Sequence, residues 1–299
     1  METTICRDCP RACGICRDAA HGVCGQSNAL RIARAAPHYW EEPAISGTNG
    51  SGTIFFSGCN LRCIFCQNAE IASEGVGTEV SPSLLVEIML RLQARGVHNI
   101  NLVTPTHYTR HLIPVLQAAK AAGLTIPIVW NSSAYESPEM LRKLEGLVDI
   151  YLPDFKYLRE KTAAEYSKAP DYPHVAKAAI AEMYRQVGAP QFDAQTGLMT
   201  KGVQIRHLVL PAHAQEAREI LWYLHEIYGT EIGISIMNQY TPMPKVAEHP
   251  VLSRKVTPHE YETVVRYAEQ IGFCNALIQE GEAASESFIP PFSGDLVLP

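Results

Sequence analysis

The chain has 299 residues, 46% of them hydrophobic, which is enough for one large α/β domain with a full core or for two small domains. A net charge of −6 and the lack of a basic run of five or more argue against nucleic acid and anionic membrane surfaces as partners, leaving small molecules and other proteins. No apolar stretch approaches a membrane helix and METTICRDCPRACGICR has no hydrophobic signal region, so the expected location is cytoplasmic, where nine cysteines favour metal or redox chemistry over disulfides.

In chain order, a cysteine-rich segment comes first, taken as residues 1–45. Cys6, Cys9, Cys13 and Cys16 form CxxCxxxCxxC, and Cys24 follows in GVCG. So short a segment cannot build its own core, and a bound metal would fold it. A zinc ribbon, rubredoxin-like iron and a 4Fe-4S cluster are all compatible with this pattern.

From about residue 50, buried-strand runs alternate with amphipathic helices, the pattern of a parallel sheet built from βα units. Strands are expected near 52–57, 97–103, 124–130, 147–152, 203–210 and 231–237. The corresponding helices are expected near 81–95, 109–122, 138–145, 174–187, 213–228 and 258–271. Ser81-Pro82 and Ser137-Pro138 pair a capping serine with a first-turn proline, and Thr257-Pro258-His259-Glu260 adds a capping box. Gly96, Gly123, Gly146, Gly229 and Gly272 mark helix ends. Pro114 predicts that the second helix starts late. Six such units close into a partial (β/α)6 barrel over residues 46–275, leaving 276–299 as a tail of little pattern and Cys274 as an inert core thiol.

In such barrels the chemistry sits on loops at the C-terminal strand ends. The loop after the first barrel strand reads GCNLRCIFCQN, placing Cys59, Cys63 and Cys66 in CxxxCxxC. Three thiolates at this spacing can ligate three irons of a 4Fe-4S cluster and leave the fourth iron open. A structural zinc site needs four soft ligands and usually paired CxxC knuckles, which are missing here, although His38 or the N-terminal cysteines would in principle complete one. The other strand ends carry Thr104-Pro-Thr-His107, Asn131-Ser-Ser133, Asp154-Phe-Lys156, Pro211-Ala-His213 and Asn238-Gln-Tyr240. On the fifth strand Arg206 and His207 point opposite ways, so at most one faces the interior. Tyr108, Tyr135 and Tyr240 flank the rim, each fitting a packing role better than a pocket-lining one.

The CxxxCxxC spacing is the signature of the radical S-adenosylmethionine (SAM) superfamily, and GSGTIFFSGCNLRCIFCQN resembles the opening strand and cluster loop of the glycyl-radical-enzyme activases, typified by pyruvate formate-lyase activating enzyme. With EEPAISG, INLVTPTHY, NSSAY, DIYLPDFKY, KAPDY, EMYRQVG, IRHLVLP and MNQY, the likeness to the PflX-type branch covers nearly the whole chain. The resemblance implies that Cys59, Cys63 and Cys66 ligate the cluster and that SAM chelates its open iron. It further implies that Asn131, Ser133, Asp154 and Lys156 contact SAM or a nearby monovalent cation. Asn131 stands where the activases place an Asp. The usual Gly-Gly-Glu after the second strand is replaced by Val103-Thr104-Pro105-Thr106-His107, so Thr104 and Thr106 are expected to supply oxygens, with His107 as a SAM ligand or proton carrier. Gln239 stands where a histidine often covers the adenosine. The branch pattern also implies an auxiliary or structural metal on Cys6, Cys9, Cys13 and Cys24, with Cys16 outside the set.

The implied activity is reductive cleavage of SAM to a 5′-deoxyadenosyl radical and hydrogen abstraction, fed by an electron donor such as flavodoxin or ferredoxin. The substrate is a glycyl-radical enzyme or, alternatively, a peptide, cofactor precursor or small metabolite. The activases carry extra cysteines after the first motif, whereas this chain carries them ahead of the barrel, which disfavours the first choice. A non-enzymatic iron–sulfur or zinc scaffold is the alternative of another class.

Overall fold

The computed structural model describes residues 5–273, 276–279 and 292, so the expectation for Cys274 and most of the tail lies outside the described residues. The elements run β1 (Leu30–His38), α1 (Pro43–Ser46), β2 (Ser51–Phe56), α2 (Ala69–Ser73), β3 (Thr78–Val80) and α3 (Pro82–Ala94). Next come β4 (Ile100–Val103), α4 (Thr109–Ala121), β5 (Ile128–Ser132), α5 (Pro138–Arg142), β6 (Ile150–Pro153), α6 (Glu160–Ser167) and α7 (Tyr172–Val187). The order continues with β7 (Gln191–Phe192), β8 (Met199–Leu208), α8 (Ala214–Tyr228), β9 (Gly233–Met237), α9 (Pro258–Gln270) and β10 (Leu277–Ile278).

The sheet runs β10-β9-β8-β6-β5-β4-β2-β1-β3. Its six central strands, β2, β4, β5, β6, β8 and β9, are mutually parallel and correspond to the six expected from the sequence. Among the described residues the two ends of this order do not pair, which fits a partial barrel. Strands β2, β4, β5 and β6 are buried along their whole length, as the continuous apolar runs require for a sheet covered on both faces.

Helix punctuation follows the residues. Ser81 accepts the Leu84 amide, and Thr257 and Glu260 complete a reciprocal capping box, whereas Ser137 makes no capping bond. Gly96, Gly123, Gly146, Gly229 and Gly272 all adopt positive φ just beyond their helices. Pro114 is a correction to the expected late start: α4 begins at Thr109, straight after a 3-10 turn at Thr106–Tyr108, and contains the proline. The buried stripe of Leu112, Val115, Leu116 and Ala119 outweighs the one backbone hydrogen bond that Pro114 removes. Strand β1 falls inside residues expected for the cysteine-rich segment and joins the sheet antiparallel to β2 and β3, and α6 has no counterpart in the sequence reading. Among the described residues no helix is long and apolar enough to cross a membrane.

Candidate active site

All six central strands contribute the end of their run to one cavity of about 230 Å3. Phe55, Val103, Asn131, Leu208 and Met237 come from strand ends, and Asp154 follows β6 directly. The cysteine loop closes one side with Cys63, Phe65, Cys66, Gln67 and Asn68. The loop is held to the end of α6, where the Arg62 and Ile64 amides donate to the carbonyls of Ser167 and Tyr166 (3.2 and 2.9 Å). Ser167 Oγ lies 3.0 Å from Cys63 Sγ and 2.7 Å from the Tyr157 hydroxyl. Phe65 packs edge-on against Tyr240 and Tyr166, and Gln67 donates to the Gln239 carbonyl (3.1 Å), joining the loop to the rim after β9.

Burial, and then the neighbouring Cys63 thiol, push Cys59 up to about 12 and Cys66 up to about 11. The Cys59 and Cys66 thiols therefore keep their protons unless a metal displaces them. Among the described residues no three Cys, His, Asp or Glu side chains converge to hold a single ion. The loop offers three thiols at CxxxCxxC spacing, a donor set that fits three irons of a cluster, whereas tetrahedral zinc would need a fourth soft ligand. His38 stands on the same wall, edge-on to Phe55 at 5.9 Å, with its imidazole pushed down to about 4 by burial and then by Arg34.

Opposite the thiols lies a charged floor. Arg206 on β8 donates from Nε to Asp154 (2.8 Å), from Nη1 to Glu41 (3.0 Å) and from Nη2 to Asn131 Oδ1 (2.6 Å). Glu41 also accepts from the side-chain amides of Asn101 (3.0 Å) and Asn131 (3.2 Å), and Lys156 Nζ donates to Asp154 (2.6 Å). Burial alone would raise the Asp154 carboxyl, but Arg206 and Lys156 outweigh it and hold it below its ordinary value. Burial would likewise lower Lys156, and Asp154 and Cys63 reverse that, keeping it a cation. For Glu41 burial wins over Arg206, so its carboxyl sits above its ordinary value. The floor is a two-carboxylate, two-cation lattice with oriented donors and acceptors, suited to a zwitterionic ligand.

Of the residues singled out in the sequence, Cys63, Cys66, Asn131, Asp154, Lys156 and Gln239 line this cavity, and so does Tyr240, for which a packing role alone was expected to fit better. Cys59 stands in the same loop, its sulfur accepting the Leu61 amide at 3.4 Å. Four others are placed elsewhere. Thr104 takes a positive φ of 57° at the turn after β4, and Thr106 donates to the buried Glu136 (2.7 Å). His107 donates or accepts at the Ser57 carbonyl through Nε2 (2.8 Å), and the Ser133 carbonyl accepts the Tyr172 hydroxyl (3.0 Å). Arg206 faces the cavity while His207 turns away to the Phe155 carbonyl, as strand alternation requires. Glu41 was assigned no role from the sequence; the acidic pair in EEPAISG is the signal that would have found it.

The cysteine-rich segment docks on the cluster loop. Arg11 donates to the carbonyls of Asn60 (2.8 Å), Lys168 (2.7 Å) and Ser167 (3.4 Å), and its guanidinium lies over the Tyr135 ring. Cys6, Cys9, Cys13 and Cys24 line one small cavity, which Cys16 does not reach.

Residues 53–198 match the family model of the radical SAM superfamily. An uncharacterized protein of Methanocaldococcus jannaschii is 28% identical over 274 residues, 89% of this chain and 74% of that protein. The pyruvate formate-lyase-activating enzyme of Listeria monocytogenes is 24% identical over 186 residues, 59% of this chain and 68% of that enzyme. Among solved structures, the FeFe-hydrogenase maturase HydG of Carboxydothermus hydrogenoformans superposes with a TM-score of 0.53 at 13% identity. That alignment covers 80% of this chain but only 55% of the maturase, so the chain spans about half the length of that neighbour and the likeness is one of fold.

Proposed function

Because residues 53–198 form a radical SAM domain, we propose that the protein reductively cleaves SAM and uses the resulting radical on a substrate presented at the open mouth of the barrel. One observation carries this reading: the Cys63 and Cys66 thiols of the cysteine loop share with a charged floor a single cavity at the ends of six parallel strands. A 4Fe-4S cluster held by this loop would supply the electron for reductive SAM cleavage and so the means of hydrogen abstraction.

The chain's own residues account for the rest. Cys59, Cys63 and Cys66 would hold three irons of the cluster, leaving the fourth open to SAM. Lys156, with its charge maintained by Asp154, offers a cation to the SAM carboxylate. Asn131 and Asp154 are fixed by Arg206 and present oriented dipoles to the same end of the ligand. Gln239, held by the Gln279 side chain (3.1 Å), flanks the adenosine side. Phe55, Phe65, Val103 and Met237 exclude water around the reacting bond.

The likeness to a pyruvate formate-lyase-activating enzyme supports a glycyl-radical partner protein as one substrate class, while the extra cysteines ahead of the barrel speak against it and leave a peptide, cofactor precursor or small metabolite as the alternative. A low-potential flavodoxin or ferredoxin would supply the electron. The test is anaerobic reconstitution with iron and sulfide, dithionite reduction and quantitation of 5′-deoxyadenosine, comparing wild type with Cys63→Ala. Deoxyadenosine from the wild type that disappears in the variant is the expected result. A wild type that binds zinc and leaves SAM intact overturns the proposal.

A further inference from the structure

One sulfur of the cluster loop is fixed against a buried hydroxyl. Arg62 and Ile64, the two neighbours of Cys63, donate their amides to the carbonyls of Ser167 and Tyr166, so Cys63 is pinned on both sides to the last turn of α6. That turn is itself closed by Lys168 at a positive φ of 53°, with the Lys168 amide on the Ala164 carbonyl (3.2 Å). Backbone on both sides therefore sets the 3.0 Å approach of Ser167 Oγ to Cys63 Sγ.

Behind Ser167 stands a second hydroxyl. Ser167 and Tyr157 are both fully buried, and the Tyr157 ring packs between Tyr166 and Tyr172 at 6.4 and 5.3 Å. Among the described residues the Tyr157 hydroxyl has Ser167 Oγ as its one hydrogen-bond partner, at 2.7 Å. Lys156 and Tyr157 are neighbours in DIYLPDFKY and serve different places. Lys156 Nζ reaches Asp154 on the cavity floor, whereas Tyr157 stays out of the cavity and backs the cysteine loop.

The direction of this chain of hydrogen bonds follows from counting protons. A cysteine that ligates iron is a thiolate with no proton to give, so Ser167 must donate to the sulfur. The Ser167 proton is then committed, and the 2.7 Å contact is a bond donated by Tyr157. Burial pushes the Tyr157 hydroxyl well above its ordinary value, which keeps that proton in place. Cys59, by contrast, takes a backbone amide, from Leu61 at 3.4 Å. A hydrogen bond to a ligand sulfur strengthens as the sulfur gains negative charge, and strengthens further where water is excluded. It therefore favours the reduced state of the metal group that the sulfur ligates.

We propose that Ser167 and Tyr157 are positioning residues that raise the potential of a cluster held by Cys59, Cys63 and Cys66, through a one-way relay from the Tyr157 hydroxyl to the Ser167 hydroxyl to Cys63 Sγ. The low-potential donor is oxidised by one electron, the cluster is reduced by one, and both hydroxyls keep their protons. The inference rests on the radical SAM reading.

The test is a redox titration of full-length protein, reconstituted anaerobically and followed by the paramagnetic signal that Cys63→Ala lacks. In Ser167→Ala the cluster should be about tenfold harder to reduce, a midpoint about 59 mV more negative for one electron. Tyr157→Phe keeps the ring and the Ser167 hydroxyl, and should shift the midpoint the same way by a smaller amount. Because Tyr157 acts through Ser167, the double variant should match Ser167→Ala. Reconstitution in deuterium oxide adds a second readout: a strongly coupled exchangeable deuteron on the reduced cluster, present in the wild type and in Tyr157→Phe, should be absent from Ser167→Ala. If Ser167→Ala fails to hold a cluster, the Tyr157→Phe midpoint decides. An unchanged midpoint in Tyr157→Phe, or a Tyr157→Phe shift that persists undiminished in the Ser167→Ala background, overturns the relay and leaves the cluster in place. A wild type without the signal overturns the radical SAM reading, and the relay with it.

Discussion

Replacing Arg206 with Met should strand one particular charge. Asp154 keeps Lys156 at 2.6 Å, but Glu41 is left with two amide donors and no cation, its side chain 9% exposed. Breaking a buried pair in this way costs about 3–5 kcal/mol. The carboxyl can escape by taking up a proton, at about 1.4 kcal/mol per pH unit above its unfolded value, so at pH 7.5 the charge penalty is capped near 4 kcal/mol. With Glu41 already raised by burial in the wild type, the sign is fixed: folding favours the protonated acid, and the deficit is small below the unfolded pKa and grows as pH rises. Thermal unfolding should therefore show Arg206→Met about 8 °C below wild type at pH 7.5, the gap closing by more than half at pH 5.5. Adding Glu41→Gln should recover most of the loss at high pH. A deficit under about 1 kcal/mol at pH 7.5, or one that stays flat down to pH 5.5, would refute this account of the cavity floor.

Gly58→Ala should lower iron content without unfolding the barrel, because a Cβ at φ +86° collides with the Cys24 carbonyl beside the cluster loop; wild-type iron content in the variant would contradict the close approach. Glu216 is 3% exposed and accepts from the Leu158 and Arg159 amides and the Thr162 hydroxyl. Glu216→Ala should cost about 2–3 kcal/mol and loosen α6, whose end holds Cys63 through Ser167; urea unfolding and iron retention read both effects. Glu260 is held below the usual carboxylate range by Arg254, with help from the Thr257 and Ala212 amides. A depressed carboxyl stabilises above its unfolded pKa and loses that contribution as pH falls through its folded value, so Glu260→Gln should be about 1 kcal/mol less stable than wild type at pH 7, the gap in urea unfolding shrinking steadily once pH drops below the unfolded carboxyl value.

The barrel was legible because its signals are local. Continuous apolar strands, Ser-Pro and Thr-Pro-x-Glu helix starts, and glycines at helix ends each depend on a few neighbouring residues. Strand β1 was not, since Leu30–His38 carries Arg31 and Arg34 and its pairing with β2 is a tertiary choice. Pro114 misled because propensity was weighed without the buried face that overrides it. In the site, Asn131, Asp154 and Lys156 were visible as strand-end motifs. Glu41 and Arg206, which lie 165 residues apart, come together only when the sheet curls. His107 was seen as a rim residue, yet it is fixed beside the second cysteine cavity, a position set by docking of a segment far away in sequence.

Arg11 grips the carbonyls of Ser167 and Lys168, more than 150 residues downstream. On a ribosome the cysteine-rich segment emerges long before α6 exists, and it has no core with which to wait. Its seat is complete only when about half the barrel has been made, and loop closure over that span is slow and entropically costly. Thiols made ahead of the barrel therefore remain open to oxygen and stray ions until the carbonyls that anchor their segment arrive.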